Sequence, residues 1–173
     1  NDLMQKTKII VILGATASGK SDIAVQIAKK FGGEVISADS RQVYKGLNIG
    51  TGKITKKEMR GISHHLLDVV SPKKSFSVLE YANLTNATIG VIVKMGKVPI
   101  ICGGTGYYIG VALGEINISE VLPNLKLRKK LDKKTTQELF EILKKLDPVR
   151  ASTIDRQNPR RLVRAIEIVK AIG

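Results

Sequence analysis

The stretch that most constrains this chain is Gly14-Ala15-Thr16-Ala17-Ser18-Gly19-Lys20-Ser21, a complete G-x-x-x-x-G-K-[ST] pattern of the P-loop type. Ahead of it runs Ile9-Ile10-Val11-Ile12-Leu13, an unbroken, largely β-branched apolar run of the sort a buried parallel strand needs. Behind it, Asp22 to Lys30 reads as an amphipathic helix. A strand that feeds a glycine-rich turn and then a helix gathers backbone N–H groups and the positive end of a helix dipole around phosphate oxygens. Gly14, Ala15, Thr16, Ala17, Ser18, Gly19, Lys20 and Ser21 are therefore the predicted diphosphate- or nucleotide-binding residues. Lys20 brings a point charge, and the Ser21 hydroxyl suits Mg²⁺, the expected cofactor. The loop specifies phosphate, not which phosphate compound.

The rest of the chain continues the alternation. Glu34 to Ala38 reads as a second strand, His65 to Val70 as a third, Ser77 to Met95 as a helix, and Val98 to Cys102 as a further buried strand ending at Gly103-Gly104. Strands alternating with helices predict an α/β fold, a P-loop NTPase-like parallel sheet with helices on both faces and a small helical insertion. After Gly114 the β signal stops. Asn124 to Asp132 and Thr136 to Leu146, the latter opened by Thr135, are predicted helices. A final helix has Asn158 as N-cap, Pro159 at the first helical position and Gly173 as a stop, with Leu162, Ile166 and Val169 on one face. The expected division is 1–113 for the P-loop core, 114–157 for the insertion and 158–173 for a helix returning to the core.

Charge adds a second constraint. The 173 residues carry 29 basic and 15 acidic side chains, a net +14. Residues 126–170 alone hold 14 basic and 6 acidic side chains, so the excess is local and points to a polyanionic partner. The alternative is a solvated basic face. Cys102, the single cysteine, excludes internal disulfides and fits a cytoplasmic protein. No apolar run reaches membrane-spanning length and residues 1–8 are polar, so a soluble monomer is expected. The adjacent His64 and His65 would point to opposite faces of a strand, which favours structural roles over a shared metal.

A nucleotide-hydrolysing P-loop protein carries an aspartate after a later apolar strand, but here that strand ends Cys102-Gly103-Gly104-Thr105. The carboxylate comes instead from Asp39, after the second strand. If that strand neighbours the first, Asp39 faces the crevice at the carboxyl edge of the sheet and can act on a nucleophile beside the phosphates. Its plain alternative is a helix cap. Beside a transferase acting on a prenyl diphosphate, the residues leave open a small-molecule kinase using ATP and a non-catalytic nucleotide-binding RNA module, which would need the loop and the basic patch but not Asp39 or Thr105.

Six stretches taken together resemble the tRNA dimethylallyltransferase (tRNA isopentenyltransferase) family. They are the P-loop, Ser37-Ala38-Asp39-Ser40-Arg41-Gln42-Val43-Tyr44, Ile49-Gly50-Thr51-Gly52-Lys53, His64-His65-Leu66-Leu67-Asp68, Gly103-Gly104-Thr105-Gly106, and Asn158-Pro159-Arg160-Arg161-Leu162-Val163-Arg164-Ala165. The resemblance implies transfer of a dimethylallyl group from dimethylallyl diphosphate to N6 of the adenine next to the anticodon of tRNA, with pyrophosphate leaving. It implies Asp39 as general base and Thr105 as a contact of the pyrophosphate. It further implies tRNA contacts at Asp39, Ser40, Arg41, Gln42, Thr105, Arg128, Arg160, Arg161, Leu162, Val163 and Arg164. Two departures stand out. Proline is expected where Ala15 stands, and the family is expected to continue past Gly173 with helices that complete an RNA cleft.

Overall fold

A computed structural model describes residues 8–48, 51–119 and 121–172. Four parallel strands, β1 (Ile10–Leu13), β2 (Gly33–Ser37), β3 (His64–His65) and β4 (Val98–Gly103), lie in the order β1-β4-β2-β3. Leu13 is paired with Gly103, and Ser37 with Cys102, so three strands end level at one edge of the sheet. The strand next to β1 is therefore β4, and not β2 as chain order alone suggests.

Strand side chains alternate between two faces, and each face has its own cover. Val35, Ile100 and Cys102 pack with Ala24 and Ala28 of helix α1 (Lys20–Phe31). Ile36, Ala38 and Ile101 pack on the other side with Tyr81, Ile89 and Ile92 of α3 (Val78–Lys94) and Ile109 of α4 (Gly106–Ala112). Each fully buried Ile here contributes about 1.5–3 kcal/mol of transfer free energy. The long helix α3 starts where Ser77 and Glu80 form a reciprocal capping box, and the four-residue α2 (Lys56–Met59) does the same with Thr55 and Glu58.

β1 departs from expectation. Val11 is 41% and Leu13 60% exposed: among the described residues β1 is an edge strand, and only its Ile10 and Ile12 face packs under α1. The expected third strand is shorter than 65–70: only His64 and His65 pair with β2, while Val70 makes an isolated bridge to Tyr44. Leu66 and Asp68 adopt left-handed backbone, φ 60° and 56°, which breaks the extended run.

Residues 119–172 form a separate compact unit, the boundary falling at 118/119 rather than at 113/114. It contains α5 (Leu125–Leu131), α6 (Thr136–Leu146), α7 (Pro148–Thr153) and α8 (Pro159–Ile172). Leu131, Leu139, Leu143, Leu162 and Ile166 are its buried centre. The apolar face of α8 is thus packed against α5–α7 within this unit. Asn158 caps α8 through a bond from the Arg161 N–H at 3.2 Å; Gly173 lies outside the described residues.

A candidate diphosphate site and a basic helical unit

The phosphate loop turns through two left-handed positions, one eased by glycine and one held by alanine at a steric cost. Gly19, φ 78°, caps α1, and Ala17 is left-handed at φ 63°. The Ser18 N–H donates to Ala15 O at 3.3 Å, and Lys20 Nζ donates to the same carbonyl at 2.7 Å, holding the ammonium over the loop. Ser21 opens the first turn of α1, its hydroxyl bonded to no protein group among the described residues. It lines a cleft of about 420 Å³ with Lys53, Thr55, Glu58 and Arg60.

Beside the loop, β4 delivers Gly103-Gly104-Thr105 between β1 and β2. Gly103 could carry no side chain: a Cβ there would stand 2.1 Å from Ala38 O. That close approach lets the Thr105 N–H donate to Ala38 O at 3.1 Å, while Thr105 Oγ1 accepts from the Ser40 N–H at 3.3 Å. Asp39 Oδ1 accepts from the N–H groups of Arg41 at 2.8 Å and Gln42 at 3.3 Å. The carboxylate therefore does cap the turn after β2, and it does so with one oxygen. Oδ2 takes no hydrogen bond among the described residues.

These pieces meet in a polar cleft of about 560 Å³ lined by Ala15, Thr16, Asp39, Ser40, Arg41, Thr51, Gly104 and Thr105. Two loop residues, the carboxylate and Thr105 thus share one cleft, while Ser21 lines the other. Gln42 faces inward instead, its side chain taking a bond from Ser37 Oγ at 3.2 Å and donating to the carbonyls of Thr51 and Gly52. Through Gln42 the segment 51–52 is hung over the loop, and Thr51 joins the cleft although no motif assigns it a role. Lys53 braces the segment against Asp68 at 2.7 Å and Tyr44 O at 3.0 Å, which holds the Asp68 carboxyl below its usual range. Ile49 and Gly50 lie outside the described residues.

Tyr81 O–H donates to Ser37 O at 3.1 Å, tying down the end of β2; burial pushes its pKa up to about 12. Tyr108 stacks on it with centroids 4.6 Å apart. Burial, then the charges of Tyr44, Asp39 and Glu80, push Tyr108 up as well. The two histidines are engaged separately, His64 Nδ1 with Ile62 O at 2.9 Å and His65 Nε2 with the buried Glu34 at 2.7 Å. Burial lowers the pKa of His64.

In the helical unit the predicted RNA-facing residues divide. Arg160 and Arg161 are exposed and pair with no carboxylate among the described residues. Leu162 is 0% and Val163 8% exposed, so neither presents a side chain to a ligand: both belong to the packed face of α8. Arg128 and Arg164 are tied to Glu167, which is 1% exposed. Arg128 grips it with two bonds of 2.8 Å, and Arg164 with one of 2.5 Å while also donating to the carbonyls of Ser119 and Val121. Burial alone would raise the Glu167 pKa, but these guanidinium bonds and the Asn124 N–H hold it at about 2. Sequence reasoning missed Glu167: its i,i+3 spacing to Arg164 is visible, but its burial and the pairing with Arg128, 39 residues away, are not.

With the geometry in hand, a sequence profile of the family described as IPP transferase matches residues 42–173. The chain belongs to the IPP transferase family. It is 46% identical to the tRNA dimethylallyltransferase of Anoxybacillus flavithermus over 166 residues, 96% of this chain and 53% of that relative. Against the tRNA dimethylallyltransferase of Oceanobacillus iheyensis it is 44% identical, covering 97% of this chain and 55% of the relative. The full-length tRNA isopentenylpyrophosphate transferase from Bacillus halodurans superposes with a TM-score of 0.65 at 40% identity, over 97% of this chain and 57% of that one. A eukaryotic dimethylallyltransferase acting on tRNA superposes with a TM-score of 0.83 at 34% identity, over 94% of this chain and 41% of that one. This IPP transferase chain therefore spans about half the length of the curated relatives it matches. None of its described helices is long and apolar enough to cross a membrane.

Proposed function

We propose that the chain carries the donor site and part of the RNA-binding surface of an enzyme that moves a dimethylallyl group from its diphosphate onto N6 of an adenine next to the tRNA anticodon. The observation that carries this is the cleft in which Ala15 and Thr16 of the phosphate loop meet Asp39 and Thr105, in a chain of the IPP transferase family. In the reaction the C1–O bond of the donor breaks, a C1–N6 bond forms, the bonding electrons leave with pyrophosphate, and the N6 proton passes to the Asp39 carboxylate.

Each group has a physical task. The loop amides and Lys20 meet the charge that grows on the departing pyrophosphate, and the Thr105 hydroxyl adds a donor at the level of Asp39. Asp39 accepts a proton from an amine too weak to attack unaided. One oxygen fixed by two backbone bonds and the other left open suits a base held in orientation. Ser21 fits Mg²⁺, since a hydroxyl bonded to no protein group among the described residues could join phosphate oxygens and water around that ion. When bound there, Mg²⁺ neutralises charge on the diphosphate. Arg160 and Arg161 supply phosphate contacts to the RNA, and the target base must leave its stack to reach the donor.

The test is a partition of label. The chain is incubated with tRNA and either prenyl-labelled dimethylallyl diphosphate or ATP labelled at the γ-phosphate. Prenyl label entering RNA is the expected result. Phosphoryl label on a small acceptor would make the protein a kinase, and binding without transfer would leave a nucleotide-binding RNA module.

A further inference from the structure

A groove of about 570 Å³ in the helical unit is lined by Arg150, Thr153, Ile154, Asn158, Arg160, Arg161 and Arg164. No carboxylate lines it. Arg164 is already balanced by Glu167, and the Thr153 hydroxyl is spent on Arg150 O at 3.3 Å. Arg150, Arg160 and Arg161 are exposed and make no ion pair among the described residues. Three cations facing one concavity repel each other and favour an anion among them. Arg160 and Arg161 stand in the first turn of α8, where cations also oppose the helix dipole, and that end of the helix itself attracts negative charge. Arg150 comes from another element. Pro148 starts α7, and Asp147 caps it by accepting from the Arg150 N–H at 2.8 Å, which fixes the backbone that aims Arg150 at the groove.

We infer that Arg150 joins Arg160 and Arg161 in a groove that holds backbone phosphate of RNA, with Arg150 an RNA contact of α7 in its own right. The inference rests on the proposed RNA substrate. A nucleic-acid backbone suits it better than a small anion, because the cations span two helices around an open groove rather than closing on one point. Guanidinium groups also match phosphate oxygens in paired bonds.

The experiment measures affinity of the chain for a fluorescent tRNA anticodon stem-loop across a salt series, for the wild type, Arg150→Gln, Arg160→Gln/Arg161→Gln and the control Lys144→Gln. Lys144 is an exposed cation of α6 outside the groove. Circular dichroism checks each fold, and inorganic phosphate is titrated separately. Arg150→Gln is expected to flatten the log–log salt slope by about 0.7–0.9 for each phosphate it no longer neutralises, with Lys144→Gln parallel to wild type. Equal flattening by Lys144→Gln would mean a diffuse field and no groove. If the α8 double variant loses affinity and Arg150→Gln does not, the inference falls and the RNA reading stands. If Arg150→Gln loses phosphate binding but keeps the RNA slope, the groove is a free-anion site and the inference is wrong. If the wild type binds no RNA, both fall together.

Discussion

Lys20 lies across its own loop, bonded to Ala15 O at 2.7 Å, with its charge directed where phosphate oxygens would sit. Lys20→Ala removes a charge-assisted donor worth about 1.5–3 kcal/mol, so calorimetry with pyrophosphate and Mg²⁺ should read an affinity loss of about tenfold or more, with an unchanged melting curve. Equal affinity would remove the loop from the site. The loop was legible in the sequence because its eight residues are contiguous and joined by backbone turns and the two local side chains Lys20 and Ser21. Thr51 was not, since it reaches the cleft through the side chain of Gln42, nine residues away. Asp39 fell between: its position after a strand was legible, but its distribution of one capping oxygen and one open oxygen is a matter of geometry. A motif names positions, while burial decides which side chains reach solvent: Leu162 and Val163 stand within the arginine-rich stretch but turn their side chains into the helical core.

At the level of elements, α5 and α8 are joined by a buried carboxylate rather than by apolar contact alone. Glu167→Gln leaves Arg128 and Arg164 facing each other without a counter-charge, a change expected to cost roughly 2 kcal/mol or more, read as a lower melting temperature of the chain. The pH dependence has a definite sign. Glu167 is depressed from 4.5 to about 2, so its contribution is fully present above about pH 4.5 and is lost as pH falls towards 2. Wild type should therefore lose stability across that window more steeply than Glu167→Gln; parallel curves would contradict the assignment. The helices themselves were readable: Thr135 and Asn158 cap α6 and α8 where their side-chain chemistry predicts. The short α4 and α7 were not, because Gly106-Tyr107-Tyr108 and a six-residue run after Pro148 carry too little period to separate helix from loop.

Over the whole molecule the chain divides into a sheet unit and a helical unit. The parallel sheet was legible from alternating patterns; its order was not, since only pairing reveals that β4 lies between β1 and β2. That order is what puts Thr105 between the phosphate loop and Asp39. Half of the net charge falls in the helical unit, 14 basic against 7 acidic side chains in 119–173, and there only some arginines are available to a partner. Changing Arg160 and Arg161 to Gln should flatten the salt dependence of tRNA binding while diphosphate affinity, held in the other unit, stays within experimental error; a parallel loss of diphosphate affinity would mean the variant is misfolded. The central claim, that Asp39 accepts the N6 proton beside a loop-bound diphosphate, is tested most directly by single-turnover prenyl transfer to tRNA by wild type and Asp39→Asn, with diphosphate affinity measured alongside. Transfer should slow by roughly 10²-fold or more in the variant at nearly unchanged diphosphate affinity; transfer at the wild-type rate would mean that Asp39 is not the base.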